Sequence, residues 1–316
     1  MEVAARSHRK SLKSERERNH ECQLPDTKGN DGTSLCFEAK IWYPQKISGR
    51  KTVRKGKAMV LWIKELIDYR EMLFSLVRKE LRSRYKASVL GFLWTFLNPL
   101  LQIAVYSVVF RVIMKVNIER YYFYMFAGLV PWMFFTTSVQ GSSTCIINHA
   151  NLVNKIYFPR LILPMVTVTG GLVNMLYTML VVFAIAVVGG VGISLYLIYL
   201  PLVMALEYVL CLGIAFFVSA VTVYLRDLEH IISILLMACF YLVPVVYSRD
   251  MIPQDVQRIY YMNPMAGIIS AFQDILYYKR MPNLHHWAAI LAASLVTAAA
   301  GAWVFQAMQK RFAEEL

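Results

Sequence analysis

Between Ala87 and Phe110 the chain runs for 24 residues without a charged side chain. A helix needs about 20 apolar residues to cross the hydrocarbon of a bilayer. Five further stretches meet or approach that length: Tyr121–Thr144, Leu161–Val188, Ile193–Leu225, Ile231–Tyr247 and Trp287–Met308. Barrel strands are about ten residues of alternating polarity, so these long unbroken runs exclude a barrel. Composition agrees. The 316 residues are 58% hydrophobic and 17% charged, with a mean hydropathy of +0.47, whereas soluble domains are about 25% charged. The expected fold class is an all-α integral membrane protein of six spans. Pro201 lies near the start of the long fourth run, which predicts an interfacial entry and a kink there.

Charge sets the expected orientation. With the N-terminus in the cytoplasm, the inside carries Lys64, Arg70, Arg78, Lys79, Arg82, Arg84, Lys86, Lys155, Arg160, Arg226, Lys310 and Arg311. The outside carries Arg111, Lys115, Arg120, Arg249, Arg258, Lys279 and Arg280. The excess of basic residues in the first set places both termini in the cytoplasm. The net charge of +13 then points to a membrane surface rather than to nucleic acid. Five cysteines, Cys22, Cys36, Cys145, Cys211 and Cys239, show no metal-ligand spacing and read as inert thiols.

Residues 1–57 are polar and basic, lack helical or strand periodicity, and read as a disordered tail with no apolar core of signal-peptide length. Met59 opens the first ordered pattern and is a candidate start, so the domain boundary is placed at 58/59. From Leu66 a helical period emerges. Leu66, Tyr69, Leu73, Leu76, Val77, Leu81 and Tyr85 share one face, while Lys64, Asp68, Glu71, Ser75, Arg78, Lys79, Arg82 and Lys86 share the other. This predicts an amphipathic helix in the plane of the cytoplasmic interface. Asn148–Tyr157 predicts a short helix with Ala150, Val153, Ile156 and Tyr157 set against Asn151, Asn154 and Lys155. Between Arg249 and Asn283, two helical pieces are expected to meet at Asn263–Pro264. The second, Met265–Tyr278, is too apolar for solvent and, at about 21 Å, too short to cross. A re-entrant hairpin on the outer face satisfies both conditions.

No phosphate-binding loop, His-Glu-x-x-His pair or nucleophile elbow occurs. Glu207 is the one carboxylate well inside an apolar run, a candidate for function or for pairing with a polar neighbour. A secondary transporter would call for paired acids or broken helices in matching halves. A membrane enzyme would call for a cluster of acids, His or metal ligands, yet His149, His285 and His286 fall at opposite faces. What remains is a membrane path without an energy source. Asn98, Pro99 and Gln102 in the first run are poor lipid neighbours and fit a polar path or a subunit axis. Aromatic and hydroxyl residues recur in the first two runs, Trp94, Tyr106, Trp132, Phe134, Thr136, Thr137 and Ser138 among them.

Several separated motifs carry a resemblance: "RYKASVLGFLWTFLNPLLQIAVYSVVF" (84–110), "FAGLVPWMFFTTSV" (126–139), "NHANLVNKIYFPR" (148–160), "SAVTVYLRDLEHI" (219–231) and "MNPMAGIISAFQDILY" (262–277). From Met59 onward the chain resembles the permease subunits of ABC-2 type exporters, in the subgroup that exports O-antigen, capsule and teichoic acid polysaccharides. The resemblance implies a homodimer in the bacterial inner membrane. It also implies two separate ATPase subunits that bind the ATP and Mg, leaving this chain without cofactor, metal or catalytic residues, and a lipid-linked polysaccharide as cargo. On the cytoplasmic side it implies ATPase coupling through Arg82, Arg84, Asn148, Asn151, Asn154, Tyr157, Arg226 and Asp227. It implies an exit gate at Tyr260, Asn263, Pro264 and Phe272, and a substrate channel at Trp94, Asn98, Gln102, Tyr106, Trp132, Phe134, Thr136 and Ser138. A drug or small-lipid exporter of the same superfamily is the alternative.

Overall fold

The structure, a computed structural model, describes residues 68–85, 90–116, 118–155, 157–190, 192, 194–251, 253, 263–281 and 284–315. The chain divides between Lys55 and Gly56 into two units. The first falls wholly outside the described residues, as does the tail expected over 1–57, and the account below concerns the second. Among the described residues all regular structure is helical.

The helices follow one another as α1 (Arg70–Tyr85), α2 (Trp94–Ser107), α3 (Tyr121–Asn148), α4 (Ala150–Lys155), α5 (Ile162–Val188), α6 (Leu200–Tyr224), α7 (Leu228–Tyr241), α8 (Pro264–Leu276), α9 (Leu284–Met308) and α10 (Phe312–Glu315). Four helical segments are long and apolar enough to cross a membrane: Gly91–Ile113, Ile162–Val188, Leu195–Tyr224 and Trp287–Arg311. Two of the six expected spans stand apart from these. Helix α3 has 28 residues, about 42 Å, but its second half mixes Thr136, Thr137, Ser138, Gln140, Ser142 and Ser143 into the apolar run. Helix α7 has 14 residues, about 21 Å, and ends at Tyr241 rather than continuing to Tyr247. Pro244 lacks an N–H and restrains Val243 before it, so the helix does not propagate. At the fourth span a 3-10 turn, Leu195–Tyr199, leads into α6, and Pro201 occupies the first turn, where its missing donor is harmless. The first span ends in a π-helix, Val108–Ile113, which sequence periodicity did not foretell.

Lipid tails are as apolar as leucine, so association of helices within a membrane rests on close packing rather than on hydrophobic burial. The pair α6 and α9 shows this most directly. A Cβ on Gly213 would lie 2.5 Å from the backbone of Thr297 and Ala298, and one on Gly301 would overlap the carbonyl of Gly213. The two backbones therefore touch, and only glycine fits on either side. Helices α3 and α8 pack against this pair and share a large apolar core with it, including Tyr121, Phe123, Leu129, Leu210, Ile268 and Phe272.

Helix α8 is the second half of the expected hairpin; the first half lies outside the described residues. Asn263 Oδ1 accepts the Met265 N–H at 3.0 Å and Pro264 opens the helix, a strong N-terminal signal. Every residue from Met265 to Leu276 is buried, against α3, α6 and α9. This is how a helix too apolar for water and too short to span is accommodated. Helices α3 and α8 together secure the unwound segment after α7. Gln273 donates to the Pro244 carbonyl at 2.5 Å, Tyr121 to that of Val246 at 2.7 Å, and Tyr124 to that of Tyr247 at 2.7 Å. These bonds satisfy backbone acceptors that a helix would otherwise have paired. Beside them Asp274, nearly buried, accepts from Arg249 (2.5 and 3.1 Å) and from Arg280 (2.8 Å). The Tyr278 ring lies 5.5 Å from the Arg249 guanidinium carbon and 4.7 Å from that of Arg280.

At the opposite end, α1 packs on α5, and Val77 enters a second core with Cys145, Ile146, Val153, Phe158 and Leu161. The bundle itself supplies the surface that the apolar face of α1 covers. Asp68, Glu71, Ser75, Arg78, Lys79 and Arg82 are exposed as expected; Phe74, at 64% exposure, interrupts that polar face. Helix α4 is shorter than its pattern implied. Val153 is buried, but Tyr157 is 82% exposed, and Phe158 occupies the buried position instead. Tyr157 lies outside α4, so it is not carried round to the apolar face, and Pro159 keeps Phe158 extended. Arg160 ties this corner to the C-terminal segment, donating to the Gln309 carbonyl at 2.5 Å and lying 5.8 Å from the Phe312 ring centre. Tyr224 donates to the Met308 carbonyl at 2.8 Å.

Two substitutions test this architecture by thermal unfolding in detergent. Gly301→Leu forces α9 away from α6 and is expected to cost at least about 3 kcal/mol; an unchanged midpoint would show that the crossing is not needed. Asp274→Asn removes the shared acceptor of two arginines and is expected to cost about 3 kcal/mol, with early loss of protease protection around Arg249.

Candidate functional site

Helices α2, α3 and α5 line a half-open cavity of about 420 Å³. Asn174 stands twelve residues into α5, about 18 Å along it, and Thr137 eleven residues before the end of α3, about 16 Å from that end. The cavity therefore lies near mid-depth of the bundle. Trp94, Thr95, Asn98 and Pro99 come from α2, Phe134 and Thr137 from α3, and Asn174 and Thr178 from α5. Met133 and Met175 fill between them. Gly171 permits the approach of α5 to α3: a Cβ there would meet Ser138 Oγ at 2.9 Å and the Phe134 ring at 3.2 Å. Pro99 interrupts the helical hydrogen bonding of α2 beside the cavity. Phe92 packs edge-on against Tyr177 of α5 with ring centres 5.0 Å apart, which joins the start of the first span to α5.

The hydroxyls of Thr137 and Thr178 donate to their own helices, at Met133 O (2.7 Å) and Asn174 O (3.0 Å). Their oxygens remain able to accept a further bond. Asn98 makes no hydrogen bond among the described residues. The lining thus combines two carboxamides, three hydroxyls, two aromatic rings and two thioethers, with no charged side chain. Such a surface suits a neutral guest rich in hydroxyls; lipid tails would leave the amides unmatched.

Of the expected channel residues, Trp94, Asn98 and Phe134 meet at this cavity. Gln102 lies one turn further along α2 and is exposed. Tyr106 is half-buried and stacks on Phe240 at 5.5 Å, and Trp132 packs on the same ring at 5.8 Å. They belong to an aromatic series that continues through Phe110, Tyr121 and Tyr124 to Tyr277. Thr136 donates to the Trp132 and Met133 carbonyls at 3.1 Å. Ser138 is fully buried, without a hydrogen-bond partner. Thr137 belongs to the hydroxyls of the second run noted from sequence; Thr95, Asn174 and Thr178 were not singled out. Asn174 carried the same signal as Asn98, an amide within an apolar run.

At the α1 end, Arg82, Asn148, Asn151, Asn154, Tyr157, Arg226 and Asp227 are all exposed, and Arg84 follows Arg82 on α1. The second core joins α1, the ends of α3 and α6, α4 and the C-terminal segment, so these side chains stand on a braced platform. At the other end Asn263 caps α8, Pro264 starts it, and Phe272 is fully buried; Tyr260 lies outside the described residues. Glu207 of α6 is fully buried, and neither carboxylate oxygen has a hydrogen-bond partner, so the polar neighbour considered for it is absent among the described residues. No group of three or more His, Cys, Asp or Glu among the described residues could hold a metal ion.

Comparison with known proteins bears on this arrangement. The family model described as ABC-2 type transporter matches residues 71–277. An O-antigen export system permease protein, RfbA, of Myxococcus xanthus is 35% identical over 260 residues, covering 82% of this chain and 100% of that protein. An RfbA permease of Klebsiella pneumoniae is 31% identical over 247 residues, covering 78% and 95%. The capsule polysaccharide export inner-membrane protein CtrC of Neisseria meningitidis serogroup A is 21% identical over 214 residues, covering 65% and 78%. The match takes in α1 through α8, including the cavity helices and the α4 corner, and this chain belongs to the ABC-2 type transporter family.

Proposed function

We propose that the chain is the transmembrane permease of an ATP-driven exporter that carries a lipid-linked cell-surface polysaccharide across the bacterial inner membrane. The observation that carries this reading is the 35% identity over the whole length of the Myxococcus O-antigen export permease. The similarity to a second O-antigen permease and to a capsule permease points to the same class of cargo. The chain supplies the path, and separate subunits supply hydrolysis of ATP with its Mg. In this reading α3 and α7 complete a six-span bundle, α7 together with the unwound segment held by Tyr121, Tyr124 and Gln273. Both termini face the cytoplasm, and α8 lies at the outer face.

Two copies of the chain form the working permease, with two ATPases beneath them. The exposed Leu101 and Val105 of α2 and Val108 and Val112 of the π-helix that follows it supply apolar surface for lipid or the second copy. The ATPases dock at the α1 end. Helix α4 presents Asn151 and Asn154 around the exposed ring of Tyr157, while buried Val153 and Phe158 anchor it to the bundle. A large exposed aromatic beside amide groups is the composition of an interface anchor. Arg226 and Asp227, at the turn between α6 and α7, extend the same surface.

Co-expression with the nucleotide-binding subunits of the same genome, followed by isolation in mild detergent, tests this. The expected product contains two permeases and two ATPases. Tyr157→Ala is expected to weaken the assembly by about tenfold or more, and scrambling 150–155 to abolish it while the permease still reaches the membrane. Failure of every ATPase to bind would remove the exporter reading.

A further inference from the structure

The charge pattern around the cavity narrows the cargo, given the export reading above. Among the described residues, α2 (Trp94–Ser107), α3 (Tyr121–Asn148) and α5 (Ile162–Val188) contain no Lys, Arg, His, Asp or Glu. The charged residue inside α6 is Glu207, an acid with no exposed surface. Helix α7 is charged in its first turn, at Glu229, with His230 beside it, and Asp274 of α8 is occupied by two arginines. From Trp287 to Met308, α9 is uncharged. Within the four described spans, Lys and Arg stand at the ends alone: Arg111 near the close of the first, and Lys310 and Arg311 at the close of the last.

A polymer charged along its length would enter these surroundings with a carboxylate or phosphate in each repeat. Bringing an unpaired ion out of water is costly every time, and paths that conduct anions meet that cost with rings of Lys or Arg. At the cavity, α2, α3 and α5 carry none. A neutral sugar gives up hydroxyl–water bonds alone, and the cavity offers groups to replace them: the carboxamides of Asn98 and Asn174, and the hydroxyl oxygens of Thr137 and Thr178, which can accept. The Trp94 and Phe134 rings offer flat surface to the C–H face of a pyranose. At about 420 Å³ the space falls in the range of small-molecule sites, about 300–1,000 Å³.

We propose that the cavity between α2, α3 and α5 seats one uncharged pyranose ring of the passing chain, and that the exported polysaccharide is built from neutral sugars. Asn174 and Thr178 of α5 are its specificity residues, beside Asn98 of α2. Teichoic acids and acidic capsules, which carry charge in each repeat, fall outside the cargo class.

The test deletes the gene for this chain in its native cell and analyses the polysaccharide retained inside. It then complements with wild type or with Asn174→Leu/Thr178→Val, chosen to keep side-chain size while removing hydrogen bonding. The retained polymer is expected to lack phosphate, uronic acid and sialic acid in its repeat. The double variant is expected to export at about one tenth of the wild-type rate or less, at equal abundance in the membrane and with the ATPase still bound. An acidic group in each repeat overturns the neutral-cargo inference while leaving polysaccharide export intact. Wild-type export by the double variant overturns the ring site alone and marks the cavity as water-filled. If deletion causes no polysaccharide to be retained and none is lost from the surface, the export reading falls and this inference falls with it.

Discussion

The contact between Gly213 and Gly301 is the interaction on which the rest of the bundle depends. In hydrocarbon, burying a leucine against another helix gains little over burying it against lipid. Side chains must instead be removed so that backbones can meet and dispersion contacts multiply. With α6 and α9 joined in this way, α3 and α8 have a fixed surface to pack on. The cavity then follows from α3, because α5 approaches it closely at Gly171 while α2 stands off across Asn98 and Thr137. Of the four clearly apolar spans, the one containing α2 is the least buried, so it is the cavity wall with the least protein behind it.

The two ends of the bundle are polar in different ways. At the α8 end, polar groups serve the protein's own backbone: Tyr121, Tyr124 and Gln273 bind carbonyls of an unwound segment, and Asp274 gathers two arginines. These groups are largely consumed by the fold. At the α1 end, apolar groups do the bracing, and Asn151, Asn154, Tyr157, Arg226 and Asp227 remain exposed. A surface built for a partner is expected to look like the second end, stiff beneath and unspent on top.

How much of this the sequence disclosed depended on the range of the interaction. Local patterns were legible. The long apolar runs, the amphipathic α1, the Asn263–Pro264 start of α8 and the short helix between α3 and α5 were all placed from periodicity and capping residues. Features set by distant packing were not. Tyr157 looked like part of an apolar stripe because helical spacing was extended two residues past the point where Pro159 ends it. The π-helix at Val108–Ile113 has no compositional signature. The Arg249–Asp274–Arg280 cluster joins residues separated by 25 and 6 positions, and nothing in their local sequence pairs them. The aromatic residues of α2 and α3 illustrate the same limit. Trp132 and Tyr106 meet on Phe240, a residue of α7 that pattern alone could not bring to them.

The cavity shows why a polar residue in an apolar run is most informative when it has company. Asn98 alone could have been a kink, a helix contact or a subunit axis. Asn174, Thr137 and Thr178 come from two other helices and lie at the same depth, and together they define a space that hydrocarbon fills badly. Had these positions included lysines or arginines, the space would read as an anion site; with carboxylates, as an ion-coupling site. They include neither. Exposed charge stands instead at the α1 end, on Arg82, Arg226 and Asp227. The chain thereby separates a cavity lined by uncharged groups from a charged, exposed end, which is the division of labour that the proposed export function calls for.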